Sequence, residues 1–224
     1  MTRNCLIGYT GFVGGHLAGQ STFSAFFNSA NIAEIAQQEF DTLVCAAAPG
    51  SMFEANKFPD RDQAKIEALI DELSKVRTSR FILISLIAVL EDFAGGDDEG
   101  TTAFQKELAY GRHRRALEAF VEETFEDSLV ARLPALFGQG LRKNFIFDLL
   151  NPIPTMLNEA KLESLSVVLD RPLFKQLTGF YAPDPATGML KLDRAALDAD
   201  PARAALDEAV IAHGVSATQF HNPE

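Results

Sequence analysis

Long apolar runs are missing from this chain. No stretch approaches the roughly 18 consecutive apolar residues that a membrane-spanning helix requires, so no transmembrane helix and no membrane partner are expected. Basic charge is also scarce: 20 Lys and Arg stand against 31 Asp and Glu, a formal net charge of −11. Nucleic acids and anionic membranes select basic surfaces, and neither is expected as a partner. Arg112-His113-Arg114-Arg115 is a local exception, and it reads equally well as one turn of an amphipathic helix. Only two cysteines are present, Cys5 and Cys45, both inside apolar runs. Two are too few for a disulfide framework and have no metal-ligand spacing, so they read as buried free thiols. The four histidines (His16, His113, His213, His221) form no HxxxH pair, which argues against a metal site. Met1-Thr2-Arg3-Asn4 runs straight into an apolar strand and leaves no room for a signal peptide, so a cytoplasmic protein is expected.

What is there points to an α/β protein. At 224 residues and 47% hydrophobic, the chain suits one domain with a small appended lobe. Asn4 to Ile7 is a short apolar run that breaks at Gly8. Gly11, Gly14 and Gly15 follow, and the pattern reads as strand, tight turn, helix. Further strands are expected at Phe23–Phe27, Asp41–Ala48, Arg80–Leu86 and Ser128–Leu133. Helices are expected at Ile32–Gln37, Asp60–Val76 and Phe104–Glu126, with an acidic Gly-rich loop over Gly95–Gly100. This alternation predicts a Rossmann-type doubly wound parallel sheet over residues 1–140. After Gly140 the rhythm stops. Residues 141–224 read as a small C-terminal lobe, with two short helices between Leu192 and His213 divided near Asp200-Pro201. The ending at His221-Asn222-Pro223-Glu224 has no helix-closing signal and reads as a shortened lobe.

The GxxGxxG spacing of Gly8, Gly11 and Gly14 suits a phosphate-binding turn. The first glycine permits positive φ, the second lets the backbone approach a pyrophosphate, and the third allows close packing. Free N–H groups of the following helix then meet the phosphates. Placement after the first strand makes this turn more specific than the spacing alone.

Gly8-Tyr9-Thr10-Gly11-Phe12-Val13-Gly14 resembles the turn of the extended short-chain dehydrogenases, a group of nucleotide-sugar epimerases, dehydratases and reductases. Four more stretches follow in the family's order. Cys45-Ala46-Ala47-Ala48 is similar to its Asn-Ala-Ala strand end, and Ile82 to Val89 to its catalytic Ser/Thr strand. Tyr110-Gly111-Arg112-His113-Arg114 stands where it carries YxxxK, and Arg132-Leu133-Pro134-Ala135-Leu136-Phe137-Gly138 resembles its RxxNVYG strand. The resemblance covers roughly residues 3 to 140.

It implies NAD or NADP as cofactor, held by Gly8, Thr10, Gly11, Phe12, Val13 and Gly14, with Asn28, Ser29, Ala46, Ala47, Ala48, Tyr110, Arg114 and Pro134 around it. It also implies hydride transfer on a small-molecule substrate such as a sugar nucleotide, with Tyr110 moving the proton, Arg114 supplying the cation and Ser85 the hydroxyl. A homodimer could form.

Several positions depart from the family. Asn28-Ser29 stands where an acid usually selects NAD, which leaves the cofactor choice open. One strand–helix unit of the first half is expected to be missing. Alignment on Val89 puts Leu86, which cannot hydrogen bond, at the Ser/Thr position; Ser85 lies one residue earlier, and Thr101 or Thr102 could substitute. Arg114 is bulkier than the family's lysine and is not a conservative exchange. Asp97, Asp98 and Glu99 read as a solvated loop, and Asn56 and Lys57 as surface loop residues. A second reading follows from these departures: a catalytically degenerate NAD(P)-binding sensor or scaffold.

Overall fold

The computed structural model describes residues 2–92, 96–141, 147 and 150–212. Gly95, His213 and the terminal His221–Glu224, read above from sequence, lie outside the described residues. The chain divides into two compact units, Met1–Ala135 and Leu136–Glu224, slightly ahead of the boundary expected at Gly140.

The first unit is built on five parallel strands: β1 (Asn4–Ile7), β2 (Ala25–Phe27), β3 (Glu39–Cys45), β4 (Arg77–Leu86) and β5 (Ser128–Leu133), in the order β2-β1-β3-β4-β5. A six-stranded dinucleotide-binding sheet has the order 3-2-1-4-5-6. The expected missing unit is therefore the outermost strand of the first half. Helix α1 (Phe12–Gln20) joins β1 to β2, and a 3-10 turn at Ile32–Ile35 leads to β3. Helices α2 (Met52–Lys57) and α3 (Pro59–Leu73) precede β4, and α4 (Ala109–Thr124) precedes β5.

Alternation decides the core. Along β4 the side chains of Phe81, Leu83 and Ser85 are buried, while Ile82, Ile84 and Leu86 are only partly covered. Cys5, Ile7, Leu43, Cys45, Phe81 and Leu83 face Ile66, Leu69 and Leu73 of α3 and Leu117 and Val121 of α4. Each fully buried aliphatic side chain of this kind contributes about 1.5–3 kcal/mol. Both cysteines are free and buried. Burial pushes the Cys5 thiol up to about 12, with Cys45 adding to the rise, and the Cys45 thiol up to about 11. Burial of this kind disfavours the thiolate, the nucleophilic form of cysteine.

Two expected elements differ. The helix expected from Phe104 starts at Ala109, because Phe104 forms an antiparallel bridge with Leu90 and Gln105 N–H donates to Val89 O (2.9 Å). Asn56 and Lys57, read as loop residues, belong to α2, whose N-cap Ser51 accepts from Glu54 N–H (3.3 Å). The Arg112–Arg115 segment is helical, yet it is no basic patch, since His113 and Arg114 are buried.

The second unit has its own sheet and core. Strands β6 (Met156–Leu157), β7 (Tyr181–Asp184) and β8 (Met189–Leu192) form an antiparallel sheet in the order β6-β8-β7. Helices α5 (Glu159–Val168), α6 (Arg171–Thr178), α7 (Arg194–Ala199) and α8 (Arg203–Ala212) bury Leu165, Leu177, Leu197 and Leu206 with Ile153 and Leu192. The two helices expected around Asp200-Pro201 are α7 and α8; the sheet, α5 and α6 had no expectation. Among the described residues no helix is long and apolar enough to cross a membrane, and no cluster of three or more His, Cys, Asp or Glu could hold a metal ion.

Candidate dinucleotide site

The glycine turn leaves β1 where the chain reverses its direction across the sheet: β1 leads outward to β2, whereas β3 leads the other way to β4 and β5. Open α/β sheets bind ligands in the crevice at such a switch point. The turn is held by its neighbours. Gly8 N–H donates to Phe27 O at the end of β2 (2.8 Å), Gly11 N–H donates to Gly8 O (3.0 Å), and Ala46 N–H donates to Ile7 O (2.9 Å).

The three glycines have three different reasons. Gly8 has φ +87, and a Cβ there would meet Ala46 O at 2.4 Å, so both backbone and space demand glycine. A Cβ on Gly14 would meet Gly8 O at 2.1 Å, so this glycine lets α1 close on its own turn. Gly11 is different. Its φ of −79 and ψ of 171 suit any residue, it is exposed, and an added Cβ would approach only Gly8 O, at 3.3 Å. Inside the protein only its N-cap position and this one backbone contact favour glycine, and neither demands it. Gly11 is also the N-cap of α1 and carries no side-chain cap, so the first-turn N–H groups of the helix keep their capacity for an anion.

At the end of β2 the loop Asn28–Asn31 is tied down by its own amides. Asn28 N–H donates to Asn31 Oδ1 (2.7 Å), Asn28 Oδ1 accepts from Ala30 N–H (2.8 Å), and Asn28 Nδ2 donates to Tyr9 Oη (3.2 Å). Ser29 and Thr10 are exposed beside it. Ala46, Ala47 and Ala48 leave β3 across the turn, half-buried.

The other end of the crevice is built from buried polar side chains. Tyr110, in the first turn of α4, is buried, and its N–H donates to Asn56 Oδ1 of α2 (3.0 Å). A Cβ on the next residue, Gly111, would meet Ala88 O at 2.0 Å, so glycine lets α4 press against the 3-10 turn Ile87–Val89 that follows β4. Arg114 is 1% exposed and grips Asp62 of α3 with both ends of its fork, Nη1 to Oδ2 (2.5 Å) and Nη2 to Oδ1 (2.9 Å). It also donates to Pro49 O (2.5 Å) and Tyr110 O (3.2 Å) and lies 4.2 Å from the centre of the Tyr110 ring. His113 Nδ1–H donates to the same Asp62 Oδ2 (2.8 Å). Burial alone would raise the Asp62 carboxyl; the Arg114 and His113 hydrogen bonds reverse this and hold it below its ordinary value. The Tyr110 phenol moves upward: burial raises it, Arg114 pulls it back only in part, and Asp62 adds to the rise.

The two residues given a cation and a hydroxyl role by the resemblance, Arg114 and Ser85, each have a buried partner. Arg114 is ion-paired with the Asp62 carboxylate, and its fork also donates to the backbone oxygens of Pro49 and Tyr110. Ser85 is buried, and its hydroxyl donates to Glu118 Oε1 (2.5 Å) rather than toward Tyr110. Glu118 is fully buried between Arg132 (Nη2 to Oε2, 2.8 Å) and Arg115 (Nη1 to Oε2, 3.1 Å). Leu86 is the half-buried last residue of β4, and Pro134 is exposed just past β5. Thr101 Oγ1 accepts from Asp98 N–H (3.0 Å) within the acidic loop.

Asp62, His113, Glu118 and Asn56 were not read as site residues from sequence. The signal was present for two of them. Asp62 begins the buried stripe Asp62-Ile66-Leu69-Leu73 of α3, and Glu118 sits on the buried face of α4 beside Leu117 and Val121. A polar residue on an apolar stripe needs a buried partner. In the second unit, a shallow hollow of about 290 Å³ lies between the start of α5 and the β7–β8 hairpin. Two of its polar side chains are engaged locally, Asn158 on Lys161 N–H and Asp184 on Thr187.

No protein-family model matches the chain, and no curated protein matches it in sequence. Solved structures do match its fold. The dTDP-4-dehydrorhamnose reductase of Bacillus anthracis, solved with NADP, superposes with a TM-score of 0.56 at 19% identity, over 67% of this chain and 60% of that one. The UDP-N-acetylglucosamine 4-epimerase of Methanobrevibacter ruminantium gives 0.53 at 18%, over 67% and 63%. The UDP-glucuronic acid 4-epimerase of Bacillus cereus, solved with NAD, gives 0.52 at 15%, over 66% and 62%. The chain thus spans about three-fifths of the length of the structures it matches. The fold is thus a Rossmann-type α/β sheet, shared with a dTDP-4-dehydrorhamnose reductase solved with NADP and with UDP-sugar 4-epimerases.

Proposed function

We propose that this protein binds NAD or NADP at the Gly8–Gly14 turn and does so as a binding module, with the proton-transfer machinery of the fold converted to structural use. The observation that carries the binding is Gly11, a glycine that neither its backbone angles nor its neighbours require beyond a single contact. A pyrophosphate lying against the uncapped start of α1 accounts for it. Solved structures of the same fold hold NADP or NAD, which supports the same ligand class.

The conversion rests on the tyrosine end. Bound, a nicotinamide dinucleotide supplies hydride exchange with a substrate carbon. Using it needs a residue that passes a proton near neutral pH, and the Tyr110 phenol is held above its ordinary pKa of 10. Arg114 cannot reverse this, because Asp62 cancels its charge at 2.5–2.9 Å. The hydroxyl of Ser85 is bound to a carboxylate, and Leu86 offers none.

An enzyme acting on a sugar nucleotide is the second reading. It is favoured by the position of Tyr110 at the start of α4, braced by Asn56 and Gly111 against the end of β4. Titration of NAD(H) and NADP(H) into the purified protein, with a turnover screen of common sugar nucleotides, separates the two. Binding without turnover is the expected result. Turnover that falls about a hundredfold in Tyr110→Phe would establish the enzyme instead.

A further inference from the structure

We propose that the Tyr9 hydroxyl, oriented by Asn28, is the residue that reads the adenosine ribose edge of the dinucleotide, and that it favours a 2′-phosphate. The proposal rests on the dinucleotide reading above. Tyr9 directly follows Gly8, and its ring stands edge-on to Phe26 of β2 with centroids 5.5 Å apart. This places its hydroxyl over the end of β2, beside Asn28. In dinucleotide-binding sheets the end of this strand is where ribose is distinguished from its 2′-phosphate.

The polarity of the contact can be assigned. Ala30 N–H can only donate, so the Asn28 side-chain atom it meets at 2.8 Å is the oxygen, and the atom facing Tyr9 is the NH₂. Tyr9 Oη therefore accepts from Asn28 Nδ2. Its own hydrogen has no acceptor among the described residues and is offered outward. The second N–H of the amide is also a donor. The loop Asn28-Ser29-Ala30-Asn31 contains no carboxylate that would repel a phosphate or accept both ribose hydroxyls. A donor-rich, acid-free edge suits an acceptor-only phosphate better than a ribose hydroxyl, which also needs an acceptor.

Binding of two fragments that differ only in the 2′-phosphate isolates this end of the ligand: 5′-AMP and adenosine 2′,5′-bisphosphate, titrated calorimetrically into wild type, Tyr9→Phe and Asn28→Asp. Wild type should bind the bisphosphate about tenfold more tightly, about 1.4 kcal/mol. Tyr9→Phe keeps the ring against Phe26, and should remove about that tenfold while leaving 5′-AMP within about twofold. Asn28→Asp keeps the oxygen that holds Ala30 but turns the Tyr9 hydrogen inward and adds charge, so the preference should reverse. Equal affinity for both fragments in wild type, or a Tyr9→Phe variant with an unchanged ratio, overturns the proposal while leaving dinucleotide binding intact. Failure of folded wild type to bind either fragment removes the dinucleotide reading, and this proposal with it.

Discussion

At the switch point of the sheet the chain withholds side chains, whereas at the start of α4 it packs large polar ones together. Gly8, Gly11 and Gly14 leave backbone bare around an uncapped helix end. Tyr110, His113 and Arg114 fill the opposite end with Asp62, to a depth where Arg114 is 1% exposed. The first arrangement has capacity left over, in donors that no protein atom uses. In the second, both oxygens of Asp62 and both ends of the Arg114 fork are bound, and the buried Arg114 Nε is left without a partner. Open backbone donors at an exposed helix end mark a place for a ligand, and a buried, paired charge cluster marks a joint of the fold. The same crevice therefore has one end suited to binding and one end suited to holding α2, α3 and α4 together.

The largest effect is expected where that joint is cut. Asp62→Ala leaves Arg114 charged and unpaired in the interior, and should cost about 3–5 kcal/mol of stability, measured by chemical denaturation. The pH profile carries the same information. Folding holds the Asp62 carboxyl below its ordinary value of 3.8, so its contribution is complete above that pH and is lost as pH falls through the depressed value. Wild type should therefore show a steeper acid-side loss of melting temperature than Asp62→Ala. A profile identical in the two proteins would mean that the pair contributes nothing to folding.

Next in size is Gly8→Ala. Positive φ costs about 1–3 kcal/mol for a residue with a Cβ, and the collision with Ala46 O at 2.4 Å adds to it. A variant as stable as wild type would mean that the turn is built differently.

Arg114→Lys weakens the same joint more gently. A lysine restores the tyrosine–lysine spacing of the resembling enzymes but replaces a fork that grips Asp62 with a single ammonium. We expect a loss of about 1–3 kcal/mol, as for hydrogen bonds between charged groups, and no gain of turnover. Activity appearing in Arg114→Lys, alone or with Leu86→Ser, would show that the tyrosine end is a working site. The smallest effect belongs to Tyr110→Phe, which keeps the ring over Arg114. Stability should change by less than about 1 kcal/mol and dinucleotide affinity by less than about twofold.

Much of the first unit was legible because its signals are local. A glycine after an apolar strand predicts positive φ, and Gly8 has it. Two cysteines in apolar runs predict buried thiols, and both are. The shortened first half of the sheet was visible as a missing strand–helix unit. What escaped depends on residues far apart in the chain. Nothing near Phe104 announces its bridge to Leu90, which delays α4. The family spacing gave Arg114 a role, but its partner is 52 residues away on α3. Ser51 and Glu54 did carry a local capping pattern for α2. The second unit was opaque for another reason: its strands are two to four residues long, too short for an alternation to register.

The division of the crevice into a binding end and a structural end is tested most directly at Gly11. Its backbone tolerates a side chain, so Gly11→Val should fold with a melting temperature close to wild type while a branched side chain occupies the approach to the α1 N-terminus. Calorimetric titration of NAD and NADP into both proteins, with circular dichroism as the control for folding, is the measurement. Our account predicts binding in wild type and at least about a hundredfold weaker binding in Gly11→Val, a loss of about 2.7 kcal/mol. A folded Gly11→Val variant that binds either dinucleotide as tightly as wild type would contradict it.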